Sequence, residues 1–213
     1  MKTNDLIQAL VADVRPVVPG ASAWRVFGAL LAGGFICLLG MDAWFGSPLR
    51  TVAQTGVPVF AVKLAYAVAM TAISASLLLV TGRSGERLGM RWVWMLAPPL
   101  VVAAVSAMEV SAAPNGARTA LFMGSTWQTC LIGVITMSLP VFAALLWVFR
   151  RLTPTRLALA GFVAGICSGS MASIIYTLYC PETAASFMLA WYSLGMLVPG
   201  IAGALLGPRM LRW

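Results

Sequence analysis

Two cysteines, Cys130 and Cys180, are the residues whose chemistry stands out in this sequence. Each lies at one edge of a long apolar segment, and Cys180 is followed at once by a proline and an acid. Thiols in an oxidising compartment can form a disulfide, bind a soft metal ion or be oxidised. The chain has no histidine, which excludes a typical zinc enzyme site and a histidine-based nucleophilic mechanism. It also has no CxxC or GxSxG motif, and we predict that the protein is not an enzyme.

Ionisable residues near the same edges of the apolar segments form a second group of candidates. They are Asp42, Lys63, Glu109 and Glu182. Ionisable side chains within a membrane are costly and usually pair with one another. Two interpretations remain open. One is an ion pair between Lys63 and either Asp42 or Glu109. In the other, the carboxylates support Cys130 and Cys180 in a sensor pocket for a soft cation, and no further cofactor is required.

The composition indicates which elements must position these side chains. Of the 213 residues, 61% are hydrophobic and 9% charged, and the mean hydropathy is +0.92, which excludes an ordinary soluble domain. A bilayer core about 30 Å thick needs roughly 20 apolar residues per helix. We therefore predict an all-α polytopic membrane protein: a cytoplasmic segment, 1–23, and a domain, 24–213, with a bundle of six transmembrane helices. The predicted helices are 26–45, 58–81, 92–112, 129–149, 157–180 and 186–207.

The distribution of basic residues predicts the orientation. Eleven fall on one side of the predicted helices: Lys2, Arg15, Arg25, Arg83, Arg87, Arg91, Arg150, Arg151, Arg156, Arg209 and Arg212. Only Arg50, Lys63 and Arg118 fall on or near the other. The positive-inside rule then places both termini in the cytoplasm of a bacterium, in its inner membrane, and both cysteines at the periplasmic face. Topology and anionic lipids explain the net charge of +8, so we predict no direct binding to nucleic acid.

The N-terminal segment contains a short amphipathic pattern. Asn4 or Asp5 can cap a helix that Pro16 ends, and its apolar residues recur at helical spacing. They are Leu6, Ile7, Leu10, Val11 and Val14. Such a helix could lie on the membrane or dock into a groove of a protein partner. Few basic residues line its polar face, which favours the partner.

Small residues in the middle of the apolar segments are interpreted as packing residues. Cys37 and Cys167 are expected to be small buried hydrophobic side chains. Glycines recur at four-residue spacing in the last two segments, which favours close helix packing. They are Gly161, Gly165, Gly169, Gly203 and Gly207.

Several stretches together resemble one family. They are "DLIQALVADVRPV" near the start, the pair Cys130 and Cys180, "YCPET" at 179–183, and the ending "WYSLGMLVPGIAGALLGPRMLRW". The chain is similar over essentially its whole length to the NrsF family of membrane anti-sigma factors, named for negative regulation of a sigma F factor. Family members frequently have a histidine just before the second cysteine. Tyr179 stands there in this chain, which puts histidine-assisted thiol or metal chemistry in doubt.

The resemblance implies a function. An inner-membrane protein of this family would hold an extracytoplasmic-function sigma factor inactive, here through the N-terminal segment, and release it on stress from a heavy metal or an oxidant. It also implies that the periplasmic cysteines receive the signal. A small ion or solute transporter is the alternative, because Lys63, Asp42 and Glu109 lie within the membrane. A membrane thiol oxidoreductase is a weaker alternative because no CxxC is present.

Overall fold

The computed structural model describes residues 20–46, 55–82, 89–114, 116–152, 154 and 156–211. In these residues the secondary structure is entirely helical, and six helices are long and apolar enough to cross a membrane. The prediction of an all-α protein with six such helices is thereby confirmed. The proposed docking residues lie outside the described residues: Leu6, Ile7, Leu10, Val11 and Val14.

The helices follow one another with short connections. Their bounds are α1 Ala21–Phe45, α2 Val57–Thr81, α3 Ala97–Ala112, α4 Arg118–Met123, α5 Trp127–Phe149, α6 Leu157–Tyr176 and α7 Ala185–Met210. A 3₁₀ segment, Arg91–Leu96, leads into α3, and a π-helical turn, Met188–Tyr192, interrupts α7. The fifth predicted helix ran to residue 180, whereas α6 ends at Tyr176 and leaves Cys180 in the connection to α7.

Helix α6 lies at the centre of the bundle, where it packs against α1, α2, α5 and α7. Many of its residues are small and most are buried, so neighbouring helices can approach it from several sides. Its serine hydroxyl groups, and that of Thr177 just after its end, donate hydrogen bonds to carbonyls three or four residues earlier in the helix. The central helix therefore contains polar side chains whose hydrogen bonds are made within the helix itself.

The predicted packing role of the glycines is confirmed where α6 meets α7. A Cβ atom at Gly161 or Gly165 would overlap the backbone of Gly203 or Pro199, and one at Gly169 would lie 2.7 Å from the Cα of Met196. Backbones this close leave no room for any side chain. Gly161, Gly165 and Gly169 thus fix α7 directly on the central helix.

Helix α3 lies at the edge of the bundle, and only Val102 and Ser106 of its residues are buried. Pro98 and Pro99 lack the N–H groups that an α-helix would need to bond the carbonyls four residues earlier. The preceding segment is 3₁₀ instead, and the Ala97 N–H donates to the Trp94 carbonyl. The path of this peripheral helix is thus set by two prolines.

Candidate functional site

Cys180 lies in the short connection between α6 and α7. Pro181 has no N–H and disfavours helical backbone in the residue before it, so the helix cannot continue through Cys180. The Cys180 side chain is nevertheless fully buried. The Lys63 ammonium group, on α2, donates a hydrogen bond of 3.0 Å to the Cys180 carbonyl oxygen. Lys63 is itself only 3% exposed, so its hydrogen bond joins two buried groups.

Cys130 lies in the first turn of α5 and is also fully buried. Its surroundings include Cys180 and the Tyr176 side chain, with which it forms a hydrogen bond. Tyr192 completes the cluster, because it is fully buried and its ring contacts that of Tyr176 edge-on, with 6.1 Å between the ring centroids. The structure thus brings together the two cysteines that the sequence analysis singled out, as free thiols in one buried cluster.

Glu182 connects the Cys180 loop to the start of α5. One of its carboxylate oxygens accepts hydrogen bonds from the backbone N–H and the hydroxyl of Ser125, both at 2.7 Å. The same oxygen accepts the corresponding two bonds from Thr126, both at 3.1 Å. A negative charge at a helix N-terminus satisfies free N–H groups and interacts favourably with the helix dipole. Glu182 therefore acts as the cap of the helix that carries Cys130.

Glu109 plays the same role for α7. Its carboxylate accepts hydrogen bonds from the backbone N–H groups of Ala185, at 2.9 Å, and Ser186, at 3.2 Å. The Ser106 hydroxyl donates to that of Ser186 at 2.9 Å, which ties α3 to the same helix start. The loop around Cys180 is therefore held from three helices: by Lys63 of α2, by Glu109 of α3 and, through Glu182, by the start of α5.

The surroundings of this loop shift the pKa values of two of its groups, Cys180 and Glu182. Burial raises the pKa of the Cys180 thiol, and the positive charge of Lys63 opposes this only in part. For Glu182, burial raises the pKa, but the hydrogen bonds from Ser125 and Thr126 outweigh it and hold the pKa below its usual value. At neutral pH the cluster therefore contains a protonated Cys180 and a charged Glu182 cap.

Of the two interpretations left open for Lys63, the ion pair is not what the described residues show. Among the residues described, Lys63 forms no ion pair with Asp42 or Glu109, because it bonds a carbonyl and Glu109 bonds backbone N–H groups. Asp42 is exposed, and its charge acts on Tyr179, whose pKa is raised by burial and by this charge. Asp42 therefore lies at this end of the bundle but outside the thiol cluster.

Few side chains near the two thiols could serve as metal ligands. The described part of the chain contains no group of three or more cysteine, aspartate or glutamate side chains that could hold a metal ion. A structural zinc site needs four ligands. Cys130 and Cys180 would therefore have to bind a soft ion as a pair, after both thiols lose their protons.

We call this region the cysteine end, defined by Cys130, Cys180, Lys63, Glu109 and Glu182. The other two cysteines are elsewhere: the Cys37 thiol donates to the Met137 carbonyl at 2.7 Å, and Cys167 is buried within α6.

Sequence reasoning missed the residues that surround the thiols. Tyr176 and Tyr192 lie in apolar helices and gave no sign that they face the cysteines. The pair Ser125 and Thr126 did carry a signal, because serine and threonine just before an apolar run are typical helix caps.

Comparisons with known proteins agree with the resemblance. A family model described as "Negative regulator of sigma F", NrsF, matches residues 10–213. The chain is 36% identical over 220 residues to the "Probable anti-sigma-F factor NrsF" of Azospira oryzae, covering 100% of both chains. It is 33% identical over 221 residues to the "Anti-sigma-F factor NrsF" of Caulobacter vibrioides, again covering 100% of both. No solved structure matches the chain. The chain therefore belongs to the NrsF family of negative regulators of sigma F.

Proposed function

We propose that this protein is an anti-sigma factor of the bacterial inner membrane that binds an extracytoplasmic-function sigma factor and releases it when Cys130 and Cys180 react. The observation that carries the proposal is the family match over residues 10–213, together with two relatives named as anti-sigma-F factors that align over their full lengths. The buried thiol pair supplies the site at which a signal would act.

The partner would bind on the cytoplasmic side. The excess of basic residues supports cytoplasmic termini, and the apolar stripe containing Leu10 and Val11 supports docking into a groove of the sigma factor. No large loop in the sequence offers another obvious docking element, apart from the basic connection 82–91.

The signal would act on the thiols at the periplasmic side. An oxidant would take two electrons and two protons from Cys130 and Cys180 and leave one disulfide. A soft metal ion would instead displace the two protons and bind both thiolates. Either product requires the two sulfur atoms to approach each other, and their shared cluster supports that approach.

The loop must open before either reaction. Both cysteines are fully buried, and a buried thiol with a raised pKa reacts slowly. A cavity of about 460 Å³ lies beside the loop, lined by Lys63, Glu109 and the segment 183–185. This cavity offers a route by which a reagent would reach the loop once its hydrogen bonds are broken.

The hydrogen bonds that hold the 180–185 loop would also couple reaction of the thiols to binding of the sigma factor. Reaction of the thiols would move the 180–185 loop, and with it the capped starts of α5 and α7. To change a two-state equilibrium from 1:99 to 99:1, the signal must favour one state by about 5.5 kcal/mol. A new disulfide typically contributes about 2–4 kcal/mol. The remainder would have to come from the loss of hydrogen bonds around the loop.

The transporter alternative receives less support. It was based on Lys63, Asp42 and Glu109 lying within the membrane. Lys63 and Glu109 bond the backbone of the α6–α7 connection, as expected of groups that hold a loop.

Co-purification tests the partner and its docking site. A tagged full-length protein extracted in detergent should retain the sigma factor, and charged residues at Leu10 and Val11 should abolish that retention while the bundle still inserts. A matched control places charged residues at Thr3 and Gln8, outside the apolar stripe. Retention of the sigma factor by the Leu10 and Val11 variant would reject the N-terminal segment as the docking site. Absence of any sigma factor from the wild-type extract would reject the function.

A further inference from the structure

A groove between helices runs along the side of the bundle, from the end opposite the cysteines toward the cysteine end. It has a volume of about 690 Å³ and is lined by α2, by the 3₁₀ segment and α3, by α6 and by α7. Pockets that bind small molecules usually have about 300–1,000 Å³. The peripheral position of α3 explains the groove, because α3 packs too loosely to fill the space beside the central helix.

The lining of the groove is almost entirely apolar. Among the described residues that line it, only Arg156 carries a charge. Arg156 immediately precedes α6 and is exposed. It lies at the end of the bundle that we call the arginine end, where Arg91, Arg150, Arg151, Arg156 and Arg209 are all exposed. The groove is therefore apolar along its length and has a positive charge at its mouth.

On α6, the lining of the groove spans the depth of one leaflet of a bilayer. Its lining on α6 extends from Arg156 to Ile166, which corresponds to about 15 Å at 1.5 Å per residue. Half of a hydrocarbon core about 30 Å thick is about 15 Å. The deep end is formed by Tyr66 and Ser193, whose hydroxyl groups share a hydrogen bond of 2.7 Å. The groove thus begins at the membrane surface, spans one leaflet along α6, and reaches further at Ser193 and at Tyr66, which is one turn of α2 from Lys63.

We propose that this groove binds one anionic phospholipid, with an acyl chain along α6 and the phosphate against Arg156. An acyl chain is complementary to the apolar walls, and a guanidinium group forms strong, geometrically specific bonds to phosphate. Trp92 at the mouth is of the residue type found at the membrane interface. The mouth of the groove is at the opposite end from the thiol cluster, although its deep end at Ser193 adjoins Tyr192, and the proposal does not depend on the proposed sigma-factor function.

The N-terminal segment is the competing occupant within the chain itself. Residues 4–14 include Asp5, Gln8 and Asp13. Inserting these polar groups into an apolar channel at membrane depth would leave them without partners, at a cost of several kcal/mol each. A phospholipid meets no such cost, since its polar group stays at the mouth.

Photolabelling of the full-length protein in nanodiscs tests the proposal. The probe is phosphatidylglycerol with a diazirine in one acyl chain, and phosphatidylcholine with the same acyl chain is the neutral comparison. In the wild type we expect labels on peptides containing Trp92 and Leu159, and stronger labelling by phosphatidylglycerol. Equal labelling by the two lipids, or labels spread evenly over all helices, would overturn the site.

Tryptophan substitutions test the groove. Leu159→Trp fills it from the central helix, and Leu197→Trp fills it from its more exposed rim should the first variant fold poorly. Leu205→Trp is the control, because Leu205 is exposed and does not line the groove. Labelling of the groove peptides should fall by at least about fivefold in the first two variants and stay unchanged in the control. An equal fall in all three would mean that the labels report the general lipid surface.

Substitutions at Arg156 test the head group. Arg156→Gln should bring labelling by the two lipids to a ratio near one, and Arg156→Lys should keep the preference for phosphatidylglycerol. Arg209→Gln, a second exposed arginine that does not line the groove, should leave the preference intact. Deletion of residues 2–19 should leave the labelling unchanged. An increase would show that the N-terminal segment occupies the groove and would overturn the lipid assignment.

Discussion

The charged residues at the two ends of the bundle differ in what they bond. At the cysteine end, Lys63, Glu109 and Glu182 reach across to the backbone of other helices and fix one loop. At the arginine end, the arginines are exposed, and the bonds they form are peripheral. Arg150 donates to the Met210 carbonyl at 3.1 Å, and Arg151 lies 4.3 Å from the centre of the Trp147 ring.

This difference indicates what each end can do. A charged group that bonds buried backbone stabilises one arrangement, so breaking its bonds changes the structure around it. An exposed arginine contributes orientation in the membrane and attraction to anions, and its loss changes the local structure little. The cysteine end is therefore suited to switching, and the arginine end to topology and binding.

The largest expected difference between the ends comes from a pair of glycines. Gly124, at the cysteine end, has φ +57° and ψ −166°, a backbone conformation essentially limited to glycine, and a Cβ there would lie 2.6 Å from Phe187 and 2.8 Å from Glu182. Gly89, toward the arginine end, also has a positive φ, but a Cβ would meet nothing within 4 Å. Gly124→Ala should lower the free energy of unfolding by about 2–4 kcal/mol, and Gly89→Ala by about 1 kcal/mol. Thermal or denaturant unfolding in detergent measures both, and equal losses would contradict the contrast.

The next largest effect is expected from Lys63→Met. The substitution keeps much of the side-chain volume but leaves the buried Cys180 carbonyl without its donor. Losing a hydrogen bond from a charged group costs about 1.5–3 kcal/mol, so the loop should open about 10- to 150-fold more often. The labelling rate of Cys130 and Cys180 by a maleimide, read by mass spectrometry, reports the opening. Arg209→Gln is the control, and an unchanged rate in Lys63→Met would mean that Lys63 does not hold the loop.

Glu182→Gln should have a smaller effect, because the amide oxygen can still accept hydrogen bonds while the charge is lost. We expect thiol labelling to rise about three- to tenfold. The pKa of Glu182 is depressed, so its contribution is complete above its ordinary value of 4.5 and is lost as the pH falls through the lower pKa of the folded protein. Labelling with a dipyridyl disulfide, which reacts in acid, should therefore rise in the wild type as the pH falls below 4.5. Glu182→Gln should not show this rise, and a rise of equal size in the variant would assign the pH dependence to another group.

The smallest effect is expected at the arginine end. Arg150→Gln removes a hydrogen bond to Met210 from an exposed residue, so the free energy of unfolding should change by no more than about 0.5 kcal/mol. Thiol labelling should match the wild type. A rise comparable to that of Glu182→Gln would show that the two ends are not independent.

Hydrophobicity and length were sufficient to predict the six helices, because each apolar segment can bury itself only by crossing a membrane. The sequence also predicted that Cys130 and Cys180 lie at the same face of the bundle, since both fall at the edges of apolar segments on that side. The partners of the charged residues were not predictable. Lys63 bonds the carbonyl of a residue 117 positions away, and every residue has a carbonyl. Glu109 caps a helix 76 positions away, and no local pattern links the two. The ion pair, one of the two interpretations left open, is absent among the described residues for this reason: backbone groups at helix ends compete with side chains as partners for buried charges.

The most direct test of the central claim measures sigma-factor release in cells together with the redox state of the thiols. In wild-type cells exposed to an oxidant, chemical trapping should show that the Cys130 and Cys180 thiols are lost. The sigma factor should leave the membrane fraction over the same time. Cys130→Ser and Cys180→Ser should each prevent release, and the double variant should add little to either one. Cys37→Ser and Cys167→Ser should release the sigma factor as the wild type does. Normal release in both Cys130→Ser and Cys180→Ser, with loss of release in Cys37→Ser or Cys167→Ser, would contradict the assignment of the switch to the cysteine end.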